Sequence, residues 1–445
     1  MVTKGKGAAV QSWEKSRLGD ISSKIGSGAT PRGGSKSYKD SGTSLIRSLN
    51  VHDFRFERDS LAFIDHDQAS ALDNVRVLQN DVLLNITGAS VARCCMVPSD
   101  ILPARVNQHV SIIRCKSELA DPQFVHYTLT SPIHKARLLS IAQGGATREA
   151  LTKGDLEDFE IDLPDITTQQ RISSTLSAYD DFIENNNRRI AILEDMARRI
   201  YEEWFVRFRF PGHKNVNMVE SVLGMVPEGW DIETVGEILI HSIGGGWGEE
   251  KVDEKFDTAA FVIRGTDIPF VKHCSIGGAP LRYHKKSNFK SRRLEDGDVI
   301  LEASGGSKDQ PVGRSVLVRR ELIESLHRPV IPASFCKLMR VNKQRILPEL
   351  LQLHLERIYA DRQILKYQSQ STGISNFKFT YFLEHERLLI PAAPIQEKFA
   401  SLVRPILKLV GNLGLRRDIL AETRNLLLPR LISGEIDVAD FANPV

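Results

Sequence analysis

The longest periodic run of apolar positions in the chain follows Pro164. Ile172, Leu176, Tyr179, Ile183, Ile190, Leu193, Ala197, Ile200 and Trp204 recur in a 4,3 alternation, with Asn186 as the one polar member of the seam. That period predicts a coiled-coil helix of about four and a half heptads, in which a single Asn fixes register. At ~1.5 Å per residue it would reach roughly 60 Å. Thr167, Thr168, Gln169 and Gln170 precede it in capping-box form, with Thr167 as the cap and Gln170 as its reciprocal partner.

A second seam runs through Phe399, Val403, Ile406, Val410, Leu413, Leu420, Leu427 and Leu431. Pro405 predicts a kink in it, and Gly411 and Gly414 weaken its first half. Arg417 and Arg424 fall on seam positions and need carboxylate partners, for which Glu194 and Asp195 are candidates. Two matching seams in one chain pair most economically with each other. Antiparallel pairing would set the rest of the chain as two domains at opposite ends of a rod. The plainer alternative is two ordinary core helices in separate domains.

Outside the seams, residues 13–163 and 230–390 alternate short β-like runs with turns and helices. Strands are expected at residues 81–86, 110–115, 298–302 and 335–340, and helices from Pro122 to Leu139 and from Pro348 to Tyr367, each opening on a proline. The two stretches repeat one another. Trp13 to Ile21 is echoed by Trp230 to Ile238, Ile46-Arg47 by Ile263-Arg264, Asp81 to Leu84 by Asp298 to Leu301, and Thr87-Gly88 by Ser304-Gly305. Further on Gln143 matches Gln370, Leu156 matches Leu383, Pro164 matches Pro391 and Gln169 matches Gln396. Collinear order at two stable offsets marks a tandem duplication rather than chance similarity, and two large copies in one chain make a pseudo-dimer with an internal approximate two-fold. Duplication for stability alone is the bland alternative. The expected class is α+β: two mixed domains separated by a pair of long antiparallel coiled-coil helices. The segments are 1–163, 164–210 (central helix), 211–390 and 391–445 (C-terminal helix and tail).

Composition narrows what such a molecule does. A chain of 445 residues with 41% hydrophobic and 26% charged residues is an ordered multidomain protein. A net charge of +3 is small for a nucleic-acid binder, yet a local basic face matters more than the total. The five cysteines show no CxxC or zinc spacing, so they are read as reduced thiols of a cytoplasmic protein. No signal-peptide pattern opens the chain, and no segment approaches the ~18 apolar residues of a membrane span.

The loops hold the candidate chemistry. Glycine-rich stretches at 26–36, 144–148, 244–248 and 305–308 lie beside Arg, Lys, Thr and Ser donors, a composition suited to phosphate as well as to plain turns. None has a nucleotide-binding form. Copy one offers Arg32, Lys36, Arg47, Thr87, Arg93 and Arg148, with Asn107 and Gln108 either reading adenine edges or forming a buried amide pair. Copy two offers Arg264, Lys285, Lys286, Lys290, Arg292, Lys308 and Arg314, several of them in a basic run interleaved with Tyr283. No catalytic constellation stands out. Asp231, Glu249 and Lys251 have a loose nuclease-like spacing without a counterpart in copy one, and a nuclease acting through them is the enzyme alternative; a non-reading scaffold is the structural one. Glu249→Ala separates the first of these, because a chain that is only a reader loses nothing by it.

Taken together the chain resembles the specificity subunits of Type I restriction–modification systems. The resemblance is carried by Gln143 to Leu151, by the run ending at Pro164, by Gln169 to Ile172, by Leu389-Ile390-Pro391, by Gln396 to Phe399, and by the tail from Leu426 to Asp437. It covers the chain from about residue 12. It implies that each mixed domain is a target-recognition domain reading one half of a split double-stranded DNA target. The seams, from Ile172 to Trp204 and from Phe399 to Leu431, then act as ruler and as docking surface for two methyltransferase subunits, which restriction subunits join. The chain itself would be non-catalytic and hold no metal, with S-adenosylmethionine, ATP and Mg²⁺ on its partners. Copy two departs from the pattern by having Ile331 to Ser334 where copy one has Val106-Asn107-Gln108. Inserting a heptad into the seam should lengthen the unread spacer of the target; an unchanged spacer would defeat the ruler idea.

Overall fold

A computed structural model describes residues 13–144, 149–306, 310–371 and 374–438. Among these, no helix is long and apolar enough to cross a membrane. The chain divides into two compact units, Met1–Ile183 with Leu420–Val445, and Glu184–Ile419. Each unit therefore holds one mixed domain and a portion of both long helices.

In the first unit two four-stranded sheets share a core. One is antiparallel, in the order Ser22–Ser27, Val110–Cys115, Val82–Asn85, Cys94–Met96. The other runs Ala62–Ile64, Thr43–Ile46, Ala104–Val106, Arg76–Val77, and pairs Thr43–Ile46 with Ala104–Val106 in parallel. Strand alternation explains why the central runs are apolar throughout: Leu83 and Ile112 face one core while Val82, Leu84 and Ile113 face another. A ladder of Glu14–Arg17 with Glu160–Leu163 joins the start of the domain to its end.

The second unit repeats this plan, except that its second sheet has three strands, with no partner equivalent to Arg76–Val77 among the described residues. Leu239–Gly244, Cys336–Val341, Asp298–Glu302 and Ser315–Leu317 form the antiparallel sheet. Leu281–His284, Thr258–Ile263 and Val330–Pro332 form the other, again with one parallel pair, Thr258–Ile263 with Val330–Pro332. Asp231–Thr234 with Arg387–Ile390 repeats the joining ladder. The alternation recurs too, with Val299, Leu301, Met339 and Val341 on one side and Ile300 and Leu338 on the other.

The duplication extends to single hydrogen bonds. Gln169 is buried: its Oε1 accepts from the Asp121 amide at 2.9 Å, and its Nε2 donates to the Leu119 and Pro164 carbonyls at 3.1 and 2.8 Å. Gln396 does the same with the Leu347 amide (3.0 Å) and the Arg345 and Pro391 carbonyls (2.9 and 2.8 Å). Each glutamine staples the first turn of its long helix to its domain. Buried Asp81 takes a bidentate pair from Arg114 at 2.7 and 2.8 Å, as Asp298 does from Arg340 at the same two distances.

Several local expectations are corrected. The helix expected from Pro122 to Leu139 is two, Pro122–Thr130 and Pro132–Gln143, because Pro132 cannot continue the first and instead opens the second. The helix expected from Pro348 ends at Ala360; Arg362 is left-handed (φ 59°) and a 3₁₀ turn, Gln363–Tyr367, follows. The central helix is Ile166–Tyr201 with a π-turn over Glu202–Val206. Asp165, not Thr167, caps it, accepting from the Thr167 and Thr168 amides at 3.0 and 3.1 Å.

The C-terminal helix is continuous over Ala393–Ile432, through Pro405, Gly411 and Gly414. Within the first unit Ile172 and Leu176 share a core with Leu428, Leu431 and Ile432, and Leu427 packs against it half-buried. Within the second, Ile190 and Leu193 meet Val410 and Leu413, while Ala197, Tyr201 and Trp204 meet Phe399 and Val403, with Ile200 and Ile406 packed alongside. Positions rise along one helix as they fall along the other, so the pairing is antiparallel. Ile183 and Leu420 are half-buried and Asn186 is buried. The glycines have a packing role: a Cβ on Gly414 would stand 2.1 Å from the His273 carbonyl oxygen, and one on Gly411 2.7 Å from Cys274 Sγ.

The seam arginines find other carboxylates than expected. Arg424 pairs with Asp180 and lies over the Phe54 ring, 3.7 Å from its centroid. Arg417 bonds Asp418 at 2.9 and 3.0 Å and His273 Nδ1 at 3.2 Å. Glu194 serves His273 and Lys272 instead, and Asp195 serves Arg198 and Arg199, one helical turn away. All five cysteines are free. Burial pushes the Cys95, Cys115 and Cys336 thiols up to about 12.

Candidate nucleic-acid interface

In each domain three loops meet at the turn between the parallel-paired strand and the central antiparallel strand. In the first domain that turn is Asn107–His109. Gly28 donates its amide to the Asn107 carbonyl at 3.1 Å, and a Cβ on Gly28 would stand 1.8 Å from the Val106 carbonyl oxygen. This glycine is thus required by the crossing of its loop over the strand, a reason independent of phosphate. The Ile86 amide donates to the His109 carbonyl at 3.0 Å, and Thr87 bridges to Ala150.

The side chains of this turn divide. Asn107 is buried and its Oδ1 accepts from the His109 amide at 3.0 Å, so it shapes the turn. Gln108 is exposed. Its Oε1 accepts from the Thr30 hydroxyl, and its Nε2 donates to His109 Nε2 at 3.0 Å. Because the Gln108 amide nitrogen can only donate, His109 Nε2 accepts and the ring proton sits on Nδ1, 2.5 Å from the Thr87 hydroxyl oxygen that receives it. The amide is therefore held in one orientation, with an N–H and an oxygen lone pair still available. Sequence reasoning missed Thr30 and His109; adjacency to Gln108 was a signal for His109, but nothing local connects Thr30 to it.

In the second domain the equivalent turn is Ala333–Phe335. The Ala333 amide donates to the Ile263 carbonyl at 2.8 Å, as the Asn107 amide does to Ile46 at 3.0 Å. The Ala303 and Ser304 amides donate to the Phe335 carbonyl at 2.7 and 3.2 Å, in the place of Ile86 and His109. Gly245, the counterpart of Gly28, would put a Cβ 2.2 Å from the Pro332 carbonyl oxygen. Where the first domain has the Thr87–Ala150 bridge, the second has a three-stranded sheet of Ser304–Gly305, Ile374–Phe377 and Gln368–Ser371.

A basic surface adjoins the second turn. The run from Arg282 is the end of strand Leu281–His284 and the helix Lys286–Arg292, not a loop. Arg292 Nε donates to the Gly244 carbonyl at 2.9 Å and packs on Gly246, whose amide donates to the Pro332 carbonyl at 2.9 Å. Lys285 lies 5.2 Å from the Phe256 ring centroid, Arg282 lies 5.2 Å from that of Trp247, and Lys286 pairs with Asp257 at 3.1 Å. Lys290 is exposed. Burial first and the Arg292 charge second lower the His284 pKa, so this imidazole is neutral within the patch.

The remaining candidates are placed as follows. Arg32 and Lys36 are exposed on the loop that leaves Gly28, and Arg93 is half-buried, 3.5 Å from His52 Nδ1. Arg47 donates to the Ser60 carbonyl and lies 5.2 Å from the Tyr38 ring centroid. At the matching position Arg264 is engaged by Asp267 at 2.8 and 2.9 Å. Arg314 forms a bidentate pair with buried Glu302 at 2.7 and 2.8 Å, a bond that raises its pKa. Arg148 and Lys308 lie outside the described residues. Asp231 accepts from Arg345 at 3.1 Å on one sheet, while Glu249 bridges to Tyr283 on another, so these two are not assembled into one site. Among the described residues no group of three or more His, Cys, Asp or Glu side chains is placed to hold a metal ion.

The two domains are thus copies of one plan, each presenting a loop cluster of different chemistry on the same frame. The model of the Type I restriction modification DNA specificity domain family matches residues 11–195. The chain is 24% identical over 445 residues to the type I restriction enzyme MjaIX specificity subunit of Methanocaldococcus jannaschii, covering 98% of this chain and 96% of that one. It is 22% identical over 424 residues to the HindI specificity subunit of Haemophilus influenzae, covering 81% and 87%. Its fold matches that of a Type I restriction–modification S subunit from M. genitalium with a TM-score of 0.56 at 13% identity, over 96% and 98% of the two chains. The chain is thus similar along its length to Type I restriction enzyme specificity subunits, and residues 11–195 match the model of the specificity domain.

Proposed function

We propose that this chain is the sequence-specific DNA-binding subunit of a Type I restriction–modification complex, that its two domains each read one half of a split target, and that it has no catalytic chemistry of its own. The observation that carries this reading is the repeated loop cluster around Asn107–His109 and Ala333–Phe335. One backbone frame presents an oriented amide in the first domain and an exposed aromatic in the second. A scaffold has no use for such divergence at matched positions, whereas a reader of two unlike half-sites requires it. The basic residues beside the second turn supply backbone attraction without sequence preference.

Methyltransferase subunits, and restriction subunits with them, are the partners in this reading. They bring S-adenosylmethionine, ATP and Mg²⁺. Exposed apolar side chains on the long helices, Phe182, Ile192 and Met196 on one and Ile419 and Leu426 on the other, offer surface for docking them. The test is to map methylated adenines in cells carrying the partner subunits, with and without this chain, and again after residues 13–163 are exchanged for another reader. The exchange should rewrite one half of the methylated sequence and leave the other unchanged. Methylation that ignores the exchange would defeat the proposal.

A further inference from the structure

Phe335 is 68% exposed, although its backbone is fixed. Its carbonyl takes two amide hydrogen bonds, and the flanking Ala333 and Cys336 amides are bonded to the Ile263 and Ala333 carbonyls, both at 2.8 Å. The ring is thus displayed by a rigid turn rather than left out by a loose one. Its turn is bonded to Gly245 on one side and to Ala303 and Ser304 on the other, and the strand that follows it carries Lys337 two residues on. Arg292 donates to the carbonyl of the neighbouring Gly244. The surroundings carry the positive charge of Arg292 and Lys337, which suits a polyanion better than an apolar protein partner. At the matching position the first domain has His109, with Gln108 fixed beside it.

We infer that this turn is the base-contacting tip of both domains, and that the two copies read by different chemistry: Gln108 by hydrogen bonds to a base edge, Phe335 by apolar contact with a base. This inference rests on the DNA-reading proposal above and assigns it a site. Both modes are established ways of discriminating base pairs in a groove, the amide through its donor–acceptor pair and the ring through apolar surface on the base. The copy-two departure at Ile331 to Ser334 then has a purpose. Ser334 replaces the glutamine, and the neighbouring ring takes over the contact.

The experiment uses the full chain co-expressed with its methyltransferase subunits. The variants are Phe335→Ala, Phe335→Leu, Gln108→Leu and the exchange of residues 13–163, read by the methylated sequence and by affinity for a duplex carrying it. Phe335→Ala should relax one position of one half-site and weaken binding on the order of tenfold or more. Phe335→Leu should retain most of both. Gln108→Leu should relax a position in the other half-site. Phe335 is exposed, so its replacement leaves the fold intact, and an unchanged thermal transition checks this. If Phe335→Ala keeps both half-sites and its affinity within twofold while the domain exchange still rewrites a half-site, the inference fails and the DNA-reading proposal stands. If the exchange itself changes nothing, the underlying reading fails first.

Discussion

Gln169 and Gln396 show how much one buried amide can organise. Each satisfies an amide and two carbonyls at the junction between a domain and its long helix. Truncation leaves those backbone groups buried without partners. Gln396→Ala should destabilise the second unit by about 3 kcal/mol, read as faster hydrogen exchange across Pro348–Ala360. Exchange rates no different from those of the parent chain would show the amide to be incidental. Lys290 behaves differently, since it is exposed and makes its contribution through charge. Lys290→Ala should leave stability unchanged, weaken DNA binding for every sequence alike, and lower the salt slope of log K by about one. A change in which bases are preferred would argue against a backbone role.

The long helices are set by their partners as much as by their own sequence. Propensity alone marks Gly411 and Gly414 as weak points, and replacing either with alanine in an isolated helix would gain about 1 kcal/mol. In the folded unit the segment from Lys272 to Cys274 lies so close that a Cβ at 414 would meet the His273 carbonyl oxygen at 2.1 Å. That atom belongs to backbone, which yields less readily than a side-chain tip. Gly414→Ala should therefore lower stability by roughly 1–3 kcal/mol despite its better propensity. A higher melting temperature for this variant would refute the close-approach account. Arg417 and Arg424 pair with Asp418 and Asp180, the first a chain neighbour and the second a carboxylate across the seam within the first unit.

At the scale of the molecule the two units respond to acid in different ranges. Burial lowers His126 and His134 to about 4 in the first unit, with the charge of Arg137 adding to the effect at His134. Both stay neutral in the fold while the unfolded chain takes up protons below pH ~6.5, so stability present above that pH falls as the pH drops toward 4. The loss is about 3 kcal/mol for each. In the second unit burial opposes the charge of Glu386, but hydrogen bonds from His354, Lys366 and Tyr367 outweigh it and hold the carboxyl at about 2. Its contribution is intact above pH ~4.5 and is lost only as the pH falls toward 2. Lowered His284 gives the second unit some loss in the higher range as well. Hydrogen exchange measured between pH 7 and pH 4.5 should show the first unit opening the more. Equal loosening of both units, or earlier loosening of the second, would contradict this assignment.

The duplication, the antiparallel seams and the mixed class of the domains were legible in the chain because they rest on periodic burial, which repeats with the residue number. Ile172, Leu176, Ile190, Phe399 and Val403 declare a buried face whatever surrounds them. The pairing of Asp81 with Asp298 and of Gln169 with Gln396 was visible as matched letters, but not as buried ion pairs and helix staples, since their partners lie far along the chain. The candidate site was legible only in part. Gln108 was visible as one of an amide pair that either reads a base edge or is buried; Thr30, His109 and Phe335 became part of a site only when strand pairing brought three loops to one turn. Which arginines are committed inside the fold, as Arg314 is to Glu302 and Arg264 to Asp267, was likewise decided by tertiary structure. Local sequence determines period and propensity, whereas loop contacts depend on residues separated by most of a domain, and only the packed sheets bring those together.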